Sequence, residues 1–101
     1  MSAQRWERMA ASLTAAGFEG VKVIARPHQD GVNRSITLKV PGGIVHVADA
    51  WWRDNWAGWQ TWGEGPDALS SAFHGPTKKR SEVVAAALAA RDAIAPTAVT
   101  A

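Results

Sequence analysis

The chain has 101 residues, 47% of them hydrophobic and 20% charged, which fits one globular domain and excludes wholesale disorder. With no cysteine it can form no disulfide, thiolate metal site or cysteine nucleophile, and no run of apolar residues is long enough to span a membrane. Eleven basic residues against nine acidic ones give a net charge of +2, so any preference for an anionic partner must come from how the charges are arranged.

In chain order, residues 2–16 read as a helix. Ser2 stands where a cap belongs, and Trp6, Met9, Ala10 and Leu13 recur at three- and four-residue spacing. Gly17 supplies a left-handed ending, and Phe18 is placed to fold back on the last turn. Residues 1–18 contain no signal-peptide core, and together with the missing cysteine this sets a cytoplasmic expectation.

Residues 21–26 and 36–40 alternate as strands on either side of a turn at Asp30-Gly31. Pro41-Gly42-Gly43 makes a second reversal into a strand over 44–48. Three strands joined by short turns form an antiparallel meander. Residues 49–55 show no clean period and read as a turn or a short helix capped by Asp49. A fourth strand is expected over 59–64 and a short fifth near 69–73.

From Thr77 the pattern is helical, with Val84, Ala87, Leu88 and Arg91 on one side and Val83, Ala90 and Ile94 beside them. Pro96 is expected to end this helix, leaving a single domain over 1–96 and a loose tail over 97–101. Each helix has one apolar stripe that needs cover. The expected fold is therefore an α+β two-layer sandwich, with an antiparallel sheet of three to five strands and both terminal helices on one face.

Two features stand out as binding sites. Lys78, Lys79 and Arg80 bring three cations to a helix start, where they oppose the helix dipole unless an anion binds there. The bland alternative is a solvated basic turn partly offset by Glu82. The other feature is tryptophan: six residues, five of them between positions 51 and 62, with two phenylalanines and no tyrosine. They cannot all share one face of a strand, so some enter the core, with Trp59 and Trp62 the candidates. An exposed remainder at Trp51, Trp52 or Trp56 would mark a protein-interaction surface or a homodimer contact.

Catalysis and metal binding find no pattern. His28, His46 and His74 have no ligand spacing, and Ser70-Ser71 lacks a nucleophile elbow. No enzyme activity, metal or cofactor is expected.

The stretch from Lys78 through the alanine pair Ala85-Ala86 resembles the final helix of the double-stranded-RNA-binding domain, and the order helix, antiparallel sheet, helix matches that family. The resemblance implies that Lys78 and Lys79 hold duplex phosphates, and that Pro27 and His28 lie in a loop directed at the minor groove. The chain departs from the family pattern at Glu82, at the adjacency of Pro27 and His28, and over residues 49–76. In overall style the alanine-rich, tryptophan-studded chain is also similar to accessory proteins of actinobacteria and their phages, which implies a small binding protein. The expected partner is duplex RNA or DNA, contacted by Lys78, Lys79, Arg80, His28 and Arg34; the alternative is a protein bound through Trp51, Trp52 and Trp56.

Overall fold

The computed structural model describes residues 3–28, 31–53, 55–65, 68–69 and 74–100. Helix α1 (Ala3–Ala15) buries Trp6, Met9 and Leu13, the apolar stripe expected from the spacing. Its end is a Schellman motif. The Phe18 amide donates to the Leu13 carbonyl at 3.1 Å and the Gly17 amide to the Thr14 carbonyl at 3.0 Å. Gly17 has φ of 108°, a value that a residue with a Cβ adopts only under strain.

The strands are β1 (Val23–His28), β2 (Gly31–Val40), β3 (Gly43–Trp52), β4 (Asn55–Gly65), β5 (Ala68–Leu69) and β6 (His74–Thr77). They form an antiparallel sheet in the order β1-β2-β3-β4-β5, with β6 also on β4. The outer edge of β4 is thus covered in two pieces, by β5 at Glu64 and Gly65 and by β6 at Trp59 and Thr61. The sheet is five positions wide, the upper end of the expected range.

Residues 49–55 correct the sequence reading. They form neither a turn-rich connection nor a capped helix: β3 runs on to Trp52 and β4 begins at Asn55. The alternation there is hidden by a register shift between Ala50 and Trp51, where Ala50 pairs with Gly58 but Trp51 pairs with Trp56, leaving Ala57 as the extra residue. Arg53 takes φ of 55° in the reversal. The strand expected over 69–73 is represented by β5 and β6 on either side; residues 70–73, Ser2 and Asp30 lie outside the described residues.

Helix α2 (Arg80–Thr100) starts three residues after Thr77 and continues past Pro96. Proline's fixed φ is compatible with a helix, so the chain can stay helical through position 96 at the cost of one backbone hydrogen bond and crowding against the preceding turn. Its buried line is Val83, Ala87, Ala90 and Ile94, with Val84 and Leu88 only partly covered, so the core-facing side is rotated from the expected one. Both helices share one core with the sheet: Trp6, Met9 and Leu13 join Ile36 and Leu38 of β2, Val45 and Val47 of β3, Trp59 of β4 and the α2 line. Burial of this apolar surface on one face is the driving force for the two-layer arrangement. No helix among the described residues is long and apolar enough to cross a membrane.

Candidate binding cleft between two helix starts

The site begins with the close approach of β4 and β6. Trp59 pairs with Thr77, and a Cβ on Gly58 would collide with the Thr77 carbonyl oxygen. Gly58 also has φ of 128°, so the position requires glycine on both counts. Thr77 then organises the turn into α2: its hydroxyl accepts from the Lys79 amide at 3.2 Å and donates to Glu82 Oε2 at 3.2 Å. The Lys79 carbonyl accepts from the amides of Glu82 and Val83, which makes Lys79 the cap residue and Arg80 the first helical one. Glu82 is thereby occupied with Thr77.

This turn places Lys78 and Arg80 opposite the first two turns of α1. Together with Gln4, Arg5, Arg8 and Trp59 they line an open cleft of about 450 Å³. Of the six described lining residues four are cationic and none is acidic. The first turn of α1 contains no acidic residue either. The positive ends of two helix dipoles thus meet four cations. Elsewhere, His46 pairs with Glu64 and Arg91 with Asp92.

Trp59 lines one side of the cleft and is part of a tryptophan cluster. Trp59 is 3% exposed and its Nε1 has no hydrogen-bond partner. It meets Trp6 edge-on at 6.3 Å between centroids and Trp56 edge-on at 5.0 Å. Trp56 donates its Nε1 hydrogen to Asp49 Oδ1 at 2.8 Å and carries the Arg5 guanidinium over its ring at 3.8 Å. It is half-buried and packed against the core, so the expectation that it belongs to an exposed patch is corrected. Trp51 and Trp52 are the exposed indoles, at 45% and 69%. Trp62 lies on the other face of the sheet, stacked on His46 at 5.0 Å. His46 Nε2 is 3.5 Å from Glu64 Oε1, within ion-pair range for a protonated imidazole but without hydrogen-bond geometry.

Of the residues expected to contact nucleic acid, Lys78 and Arg80 line the cleft and Lys79 is exposed beside it. Arg34 and His28 are elsewhere: Arg34 sits on β2, its amide donating to Asp49 Oδ2 at 3.4 Å, and His28 ends β1, three strand positions from β4. Arg5 and Arg8 were not singled out by sequence reasoning. Their spacing from Gln4 places Gln4 and Arg8 on one side of α1, but only the packing of α1 beside α2 reveals what that side faces.

No group of three or more metal-ligating side chains occurs among the described residues. No family model, curated protein or solved structure matches this chain.

Proposed function

We propose that the chain is a non-enzymatic, cytoplasmic binding protein that holds nucleic-acid phosphates in the cleft between the two helix starts. The observation that supports this is the convergence of Arg5, Arg8, Lys78 and Arg80 on one open cleft with no acidic residue among the described lining residues. Four cations gathered on one cleft attract an anion, and the positive ends of two helix dipoles reinforce the preference. Phosphate contacts carry no base information, so the expected binding is sequence-independent and extends to duplex RNA or DNA.

The test is titration of the protein with duplex RNA and duplex DNA across a range of salt. Binding should be micromolar or weaker and should fall steeply with salt. Replacing Lys78 or Arg8 by Ala should lower the salt slope by about one each, uniformly across sequences. Absence of binding to either duplex at low salt would remove this reading for duplexes.

A second reading rests on Trp51 and Trp52, whose 45% and 69% exposure at one hairpin end offers an apolar surface to a protein partner or a second copy. Sedimentation that shows association at micromolar concentration, abolished by Trp52→Ala, would favour it over the first.

A further inference from the structure

We infer that the cleft takes a single strand in preference to a duplex, with phosphates among the four cations and one unstacked base lying on Trp51. The inference rests on reading the cleft as a nucleic-acid phosphate site, and it names the form of nucleic acid.

The argument is one of continuity. Arg5 is both a lining residue of the cleft and the cation over Trp56. Trp56 is directly opposite Trp51 in the β3–β4 ladder, and opposite residues share a face with their Cβ atoms about 5 Å apart. The shared face is the helix side, since Trp56 bonds Asp49 and packs against Trp59 there. The surface therefore runs from cations through the covered ring of Trp56 to Trp51, which is 45% exposed. Trp52 follows Trp51 in the strand and so points to the opposite face.

A charged groove that ends in an open aromatic face is the arrangement that binds single strands. A duplex keeps its base faces stacked on each other, so it could use the cations but not Trp51. A single strand offers both chemistries within one nucleotide step. The cleft's volume, about 450 Å³, suits a nucleotide-sized group and not the width of a duplex groove.

Anisotropy titrations with a short oligothymidylate, a short oligouridylate and duplexes of the same length test this. Single strands should bind more tightly than duplexes at equal salt. Trp51→Ala should weaken single-strand binding about ten-fold and leave duplex binding unchanged. Trp51→Phe should retain most of the affinity, and Trp52→Ala should have no effect. Trp51→Leu keeps apolar bulk without a ring and should behave like Trp51→Ala, which covers the case in which the smaller side chain disturbs folding. Duplexes bound as tightly as single strands, or Trp51→Leu binding like wild type, would overturn the inference while leaving the phosphate cleft standing. If neither form binds at low salt, the cleft reading itself fails.

Discussion

The Arg5 guanidinium carbon lies 3.8 Å from the Trp56 ring centroid, and this contact couples the charge of the cleft to the tryptophan cluster beside it. Arginine stacks on an indole through a delocalised plane, which an ammonium group cannot reproduce. Arg5→Lys should therefore preserve the salt slope of nucleic-acid binding while lowering affinity several-fold. Parallel salt titrations of the two proteins check this; a changed slope with unchanged affinity would contradict it.

Anions alone should stabilise the fold. At ten times its Kd, a ligand that binds only the native state contributes about 1.4 kcal/mol, or roughly 6–10 °C in Tm for a domain of this size. Pyrophosphate should raise Tm above that in chloride of matched ionic strength, and Arg8→Ala with Lys78→Ala should abolish the difference. Differential scanning fluorimetry reads this directly.

Thr61 is 1% exposed and its hydroxyl oxygen finds no partner. Burying a hydroxyl without a hydrogen bond costs about 1–3 kcal/mol, so a methyl in its place should be tolerated or better. Thr61→Val should leave stability unchanged or raise it by about 1 kcal/mol in urea unfolding. A loss of that size would mean that the hydroxyl is satisfied.

Gly58→Ala should destabilise the protein by roughly 2–3 kcal/mol, because the new Cβ meets the Thr77 carbonyl at a positive φ. Since Thr77 sets the turn that presents Lys78 and Arg80, the variant should also weaken anion binding at temperatures where it remains folded. Denaturant titration and binding on one sample separate the two effects.

Acrylamide should quench two of the six indoles readily, Trp51 and Trp52, and reach Trp6 and Trp59 poorly. Trp59→Ala should cost roughly 3–5 kcal/mol, enough to threaten a small domain. Quenching and melting curves of the single replacements decide between platform and core at each position.

The sequence carried the fold where periodicity was unbroken. The stripe at Trp6, Met9 and Leu13 and the alternations in β2 and β3 each satisfy one simple period, so the helix, the meander and their common face were legible. The β3–β4 hairpin was not, since the extra residue Ala57 breaks the alternation where a period must be counted. The cleft was half legible. Lys78 and Arg80 are consecutive in kind and visible as a charge run, whereas Arg5 and Arg8 look like the solvated side of an ordinary helix. What joins the pairs is the side-by-side packing of two helices separated by the whole sheet in sequence, a relation that no local pattern encodes.

Ala57 gives the hairpin a reading frame. Because side chains alternate along a strand, one unpaired residue inverts the assignment of every position beyond it, and that inversion brings Trp56 under Arg5 and beside Asp49. Excising Ala57 would change no chemistry directly, yet it would send that indole to the far face and leave Asp49 with the Arg34 amide but without its indole donor. A deletion of one methyl-bearing residue would thus act as a frameshift in three dimensions, one that only a compensating insertion nearby could correct.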